Sequence, residues 1–446
     1  MKKNTKKVSL IEVEYSDKAV SPWGGIRLIL ELLHKLNITG FFNTLNLPQP
    51  GSNRGYDPAE VLKSFMVSIM IGANRFAHCG WIRYDPVLKR IFNWKETPSE
   101  STYSRFFRKF DQKRNDEVFP AIQSWFFSHF SIPRITVDLD STVIERFGKQ
   151  EGSKKGYNPR RRGRPSHHPL IAFVSELKLV VNGWLRPGNT SSSNNVEAFL
   201  EETFRILGGE KIGLLRADNG FSSGKCLTFF ESLGISYIVS AKFHSAIKRM
   251  LVRDLQWIPV KKGLWVGEFQ YKAGKWAIPR RCVVVRKDTE VYPNAAGHLL
   301  PLFPEMIPDT LYRYSLMFTN LTLPALQVWN LYRERSDAEN RIKELKNDFA
   351  VGGFSSDKFY ATEAAFRMAL VAYNIMALFR LVILKDKKSR RMATLYFKCI
   401  ALGSWIVSRQ RKEVLKLSVS KKKRAWIDGL FKNLADFNPQ FKISIA

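Results

Sequence analysis

A mixed α/β fold follows from three features of the chain. Residues 22 to 130 carry only helical spacing, a run of strand-like segments opens at Ile135, and beyond Val196 strands alternate with helices. Taken in order, IRLILELLHKL from Ile26 and AEVLKSFMVSIMIGANRF from Ala59 place apolar residues three and four apart, one helical face each. Pro86 to Phe92 reads as a short helix. Thr97-Pro98-Ser99-Glu100 then reads as a helix start in which Thr97 caps, Pro98 opens the first turn and Glu100 closes a capping box. The helix that follows, STYSRFFRKF, sets Arg105, Arg108 and Lys109 beside Phe106, Phe107 and Phe110. This pair of helices reads equally as a helix-turn-helix and as bundle helices with a solvated basic face.

In ITVDLDSTVIERFG, Ile135, Val137 and Leu139 face one way while Thr136, Asp138 and Asp140 face the other. Strands are also predicted in HPLIAFVSEL, LKLVVNGWLRP, KIGLLRAD and SYIVSAKF, with helices over Val196 to Leu207 and Gly224 to Leu233. From about Lys248 to Leu311 the helical spacing ceases, and LWVGEFQYKA, KWAIPRRCVVVRK and TEVYP read as strands of a β-rich insertion. A last strand, YRYSLMFTNL, precedes a long helix from near Pro324, and Arg367 to Leu384 gives another, strongly apolar helix.

The 446 residues carry 71 Lys plus Arg against 40 Asp plus Glu, a net charge of +31. A compact chain keeps such an excess where a polyanion neutralises it, so nucleic acid is the expected partner. A membrane is not expected. The longest apolar stretch, Met368 to Phe379, falls short of the ~20 residues needed to span. The basic start is followed by Glu12, Glu14 and Asp17 rather than an apolar run, which points to a cytoplasmic protein. The 4 cysteines, Cys79, Cys226, Cys282 and Cys399, are too scattered for a disulfide framework or a zinc site. From Lys385 to Arg424, 14 bases face 2 acids, a basic tail.

Three acids stand out by context. Asp140 and Asp218 each end a predicted strand, where open α/β sheets bind ligands, although an Asp there is also a common turn residue. In LYRERSDAENRIKELKNDF, read as one helix at ~100° per residue, Tyr332, Arg335, Glu339 and Lys346 share an arc of about 60° beside an apolar stripe. An amphipathic helix with solvated ion pairs gives the same pattern. Asp138 shares a face with Asp140 and is open to a metal-binding or a hydrogen-bonding role.

At every spacing, Tyr332-x2-Arg335-x3-Glu339-x6-Lys346 resembles the Y-R-E-K signature of bacterial insertion-sequence DDE transposases. Asp140-Ser141-Thr142 is similar to that family's first acidic motif and Asp218-Asn219-Gly220 to its second, and the likeness covers about residues 130 to 385. It implies a ribonuclease-H-like catalytic domain over 131–247 and 312–385, interrupted by the β-rich insertion at 248–311. A helical domain at 1–130 would bind DNA ends, and a basic region would follow from 386 to 446. The implied reaction is cut-and-paste transposition: binding of terminal inverted repeats, nicking to free a 3′-hydroxyl, and its transfer to target DNA. Asp140 would bridge two Mg²⁺ ions, with Mn²⁺ as substitute, and Asp218 and Glu339 would complete one each. Tyr332, Arg335 and Lys346 would hold substrate phosphates, and two DNA ends imply a homodimer.

Other residues extend this reading. KQEGSKKGYNPRRRGRPSHHP carries seven bases against one acid, so Arg160, Arg161, Arg162 and Arg164 are candidate phosphate contacts, as is Lys242. His167 and His168, adjacent on a strand, point to opposite faces and do not suggest zinc. Trp257, Trp265 and Trp276 stand among lysines and suit either base stacking or a small core. A plain nuclease of the same fold would need no end-recognition domain, and a non-catalytic DNA-binding descendant would be expected to lack one of the three acids. A basic membrane-surface protein gives no reason for the spaced acids.

Overall fold

The computed structural model describes residues 11–131, 134–159, 161–208, 212–253, 255–288, 312–385, 390–410, 412–440 and 443–444. Its centre is one nine-stranded sheet. The strands are β1 (Ile135–Ser141), β2 (Leu170–Val174), β3 (Leu179–Trp184), β4 (Ile212–Ala217), β5 (Tyr237–Ser240), β6 (Ile258–Lys261), β7 (Leu264–Tyr271), β8 (Arg280–Asp288) and β9 (Tyr312–Thr319). Their spatial order is β6-β7-β8-β9-β5-β4-β1-β2-β3. β1, β2 and β3 pair antiparallel in chain order, and β4 and β5 add in parallel on the other side of β1. That half of the sheet is the mixed ribonuclease-H-like arrangement. β6 to β9 continue the sheet beyond β5 with antiparallel pairing, so the strands of the 248–311 stretch extend the central sheet rather than form one of their own. TEVYP lies outside the described residues.

Two sequence expectations need correction here. The start of the 248–311 stretch is helical, because helix α9 runs Ser245–Arg253. The capping at 97–100 is also different: Ser99, not Thr97, accepts the Thr102 amide and caps the helix Glu100–Phe107. A serine at the position before Glu100 serves equally as cap, and Thr97 is instead buried.

The helices Ile26–Lys35 (α1), Ile38–Phe42 (α2), Pro58–Met70 (α3), Pro86–Phe92 (α4), Glu100–Phe107 (α5) and Gln112–Phe127 (α6) share one continuous core with the sheet. The connecting helices α7 (Val196–Ile206) and α8 (Gly224–Ser232) follow β3 and β4. After β9 come α10 (Ala325–Glu334), α11 (Ser336–Asn347) and α12 (Phe359–Leu378), the last extended by a π-helical turn to Leu384. By length and composition, Phe359–Leu384 is apolar enough to cross a membrane, but 83% of its apolar window is buried inside the fold. Its polar residues are paired there: Asn374 bonds both backbone groups of Val180, and Glu363 takes Arg367 and the Leu185 amide. It is a core helix.

The basic tail folds back on the beginning of the chain. Ser404–Arg409 and Lys412–Leu417 form a hairpin whose Ser404 bridges Ser21. The helix Lys421–Asp436 (α14) lies against α1, where Lys35 donates to the carbonyls of Ala435 and Phe437.

Candidate active site

Parallel pairing of β1 with β4 brings the acids together. Asp138 lies opposite Arg216 and Leu139 opposite Ala217, so one step further Asp140, near the end of β1 and still paired with Ile171, is beside Asp218 just past the end of β4. Asp218 turns into a short 3₁₀ segment and accepts the Gly220 amide at 2.8 Å. The third partner comes from the junction of α10 and α11. Arg335, 4% exposed, reaches Asp140 Oδ2 at 3.1 Å and Glu339 Oε1 at 3.6 Å. It also donates to the Leu139 carbonyl. Burial pushes the Asp140 carboxyl up to about 6, against the pull of Arg335 and with the push of Asp218 and Glu339. Arg335 is held firmly protonated: burial, the largest single effect, opposes its charge, but Asp140, Tyr332, Asp218 and Asp138 together more than offset it.

Asp138 and Asp140 have different surroundings. Asp138 is fully engaged by Arg216, Oδ1 to Nε at 2.6 Å and Oδ2 to Nη2 at 2.9 Å, with both residues 1% exposed. Its pair with Arg216 is separate from the other acids, whereas Asp140 shares Arg335 with Glu339 and feels the charge of Asp218. Arg216 is a residue that the sequence reading missed. Its signal was a charge inside an apolar strand, which must find an opposite charge when buried.

The single helix expected across 331–349 is broken at Arg335. The Leu331 carbonyl, which an uninterrupted helix would pair with the Arg335 amide, accepts instead from Arg216 Nη1 at 2.6 Å. The Arg335 amide turns to Tyr332. Tyr332 therefore sits on α10, Arg335 at the break, and Glu339 and Lys346 on α11, so the shared arc is made by two helices. The apolar stripe holds, with Ala338, Ile342 and Leu345 buried. The Glu339 side chain is 58% exposed, and Lys346 donates to the Val143 carbonyl just beyond β1.

A cleft of about 1740 Å³ opens beside this cluster. Asp218, Tyr332, Lys346 and Lys242 line it, with Arg75 from the helical region on one side and Trp276 and Tyr314 on the other. Burial raises the Tyr332 hydroxyl's affinity for its proton, which keeps it a donor and acceptor rather than an anion. His168, weighed in the sequence only as a zinc ligand, also lines the cleft and is fixed by its Nδ1 on the Thr190 carbonyl at 2.7 Å. His167 is buried behind it, with Arg146 on Nδ1 and the Glu151 carbonyl on Nε2, and is lowered to about 4 by burial and by Arg146.

The remaining candidates fall in different places. Arg161 pairs with Glu145, Arg164 covers the Phe147 ring at 4.2 Å, Arg162 is exposed, and Arg160 lies outside the described residues. Arg105 is exposed on α5, whereas Arg108 pairs with Asp357 at 2.6 Å. Seven residues, 93 to 99, separate α4 from α5, longer than the roughly three- to four-residue turn of a helix-turn-helix. Trp257 and Trp265 flank Arg286, and Trp276 packs on Phe318. Among the described residues, no three His, Cys, Asp or Glu side chains stand close enough to hold a metal ion.

A family model described as transposase DDE domain group 1 matches residues 3–439. A cryo-EM structure of a piggyBac transposase synaptic complex with hairpin DNA is similar at 12% identity, covering 86% of this chain and 83% of that one with a TM-score of 0.41. No curated protein matches. Because the family match spans nearly the whole sequence, the chain belongs to the DDE-domain transposases, enzymes that cleave DNA and transfer its strands with divalent metal ions.

Proposed function

We propose that this chain is the transposase of an insertion sequence, acting in the bacterial cytoplasm on nucleoid DNA as a homodimer. It binds terminal inverted repeats, nicks each end to free a 3′-hydroxyl, and joins that hydroxyl to target DNA. The observation that carries the reading is that Arg335 links Asp140 to Glu339 while Asp218, on the strand next to Asp140, lines one large cleft.

The donor set suits hard divalent cations, since all three acids offer carboxylate oxygens. Asp140, buried near two other carboxylates, is under-neutralised, and Arg335 supplies the positive charge between it and Glu339. Asp140, Asp218 and Glu339 would hold two Mg²⁺ ions, with Mn²⁺ as substitute. The ions would stabilise charge at the attacking and leaving oxygens of an in-line phosphoryl transfer. Arg335, which pairs with Asp140 here, would be available to a DNA phosphate where ions neutralise that acid, and Tyr332 and Lys346 would hold the same strand from the cleft wall. Lys242, Arg161, Arg162 and Arg164 contact flanking phosphates, and Arg105 belongs to the end-binding helical region.

The test is cleavage of DNA carrying the gene's own flanking sequences, with Mg²⁺ or Mn²⁺, by wild type and Asp218→Asn. Nicks at the repeat boundaries that vanish in the variant are expected. Binding without a nick in either metal would leave a DNA-binding protein without catalysis.

A further inference from the structure

The connection between β1 and β2 forms a small arm in which Ile144–Glu145, Lys154–Lys155 and Pro165–His167 pair as a three-stranded sheet. Two large aromatic side chains stand out from it: Phe147 is 76% exposed and Tyr157 73% exposed. These two rings share an arm with Lys154, Lys155, Arg161 and Arg162, all exposed. Tyr157, together with Asn158 and Pro159, lines the cleft that Asp218 and Lys346 also line.

The backbone on both sides of Tyr157 is pinned. A Cβ at Gly156 would lie 1.9 Å from the Gly188 carbonyl oxygen, so only glycine permits that close approach. Asn158 is buried, accepts the Arg161 amide at 3.0 Å and donates to Glu145. Residues 156 and 158 thus anchor the chain while the ring between them projects outward. A ring held in this way loses little freedom on binding. Phe147 already carries the Arg164 guanidinium on one face.

We propose that Tyr157 is a stacking platform for an unpaired DNA base at the mouth of the cleft, resting on the DNA-cleaving function proposed above. The π-face takes any base, while the arm's cations hold the phosphates on either side of it. Phe147, backed by Arg164, offers a second ring on the same arm.

The experiment compares the full chain with Tyr157→Ala and Tyr157→Phe. Each binds a duplex from the gene's flanking DNA, and the same duplex with a short mismatched bubble containing 2-aminopurine. The wild type and Tyr157→Phe prefer the bubble by about tenfold and quench its fluorescence. Tyr157→Ala loses the preference and the quenching but binds the paired duplex as wild type does, which also shows that it folds. A preference that survives in Tyr157→Ala, or a wild type that binds duplex and bubble alike, overturns the stacking role alone. A wild type that binds neither DNA overturns the functional reading and this inference with it.

Discussion

Arg216 clasps Asp138 through two nitrogens and uses the third to take the Leu331 carbonyl, so one buried guanidinium ties the first and fourth strands of the catalytic sheet to the point where the helix breaks before Glu339. The carbonyl it takes belongs to the helical ladder, and the break is what separates Tyr332 from Glu339.

Loss of this clasp has two separable effects. Asp138→Asn leaves the buried Arg216 charge with only the exposed Glu334 as counter-ion, which costs up to about 3–5 kcal/mol and lowers the urea midpoint. The double variant Asp138→Leu with Arg216→Met recovers most of that stability. It also frees the Leu331 carbonyl, straightens the helix toward Arg335 and moves Glu339, so cleavage stays low in a well-folded protein. Recovery of cleavage along with stability would show that the break does not position the acid.

The three proposed ligands behave differently from Asp138. Asp140→Asn, Asp218→Asn and Glu339→Gln are each expected to abolish cleavage while end binding is kept, since no positive charge is removed. Mg²⁺ should raise the melting temperature of wild type, because an ion bound only by the folded state stabilises it, and should leave Asp140→Asn unmoved. An equal Mg²⁺ shift in wild type and variant would take Asp140 out of the ion site.

How far these features were legible depends on their range. The strand-end placement of Asp140 and Asp218 was legible because alternation and turn residues are local signals. The sheet's continuation from β5 through β9 was not, because strand pairing across 70 residues leaves no periodic mark. The helix break was not legible either, because it is made by Arg216 taking the Leu331 carbonyl from another strand, and the apolar stripe runs straight through it. Arg216 was passed over because a lone charge in a strand has no visible partner until the register sets Asp138 opposite it.

Exposed and engaged arginines should separate in a salt titration. Arg162 is exposed on the arm, so Arg162→Ala should weaken DNA binding uniformly across sequences and reduce the slope of log affinity against log salt by about 0.9. Arg108 is paired with Asp357, and Arg108→Ala should change the slope much less. Equal slopes for Arg162→Ala and wild type would place the arm away from phosphate.

Two buried groups oppose each other in the acid stability of the metal-free protein. His167 is lowered from 6.5 to about 4 in the fold, so the unfolded chain binds its proton first. Its contribution is present above pH 6.5 and is lost as the pH falls toward 4, by up to about 3 kcal/mol at 1.36 kcal/mol per unit. Asp140 is raised from 3.8 to about 6, so the folded chain binds its proton first, and stability is gained as the pH falls from 6 toward 4, by a similar amount of up to about 3 kcal/mol. The two slopes nearly cancel over that window in wild type. In chelator, Asp140→Asn removes the gain and leaves the His167 loss. The variant should therefore be the more stable protein at pH 7, and its urea midpoint should fall more steeply than that of wild type between pH 6 and 4. Parallel midpoint curves for the two proteins would mean that Asp140 is already ionised at little cost, and that Arg335 alone neutralises it.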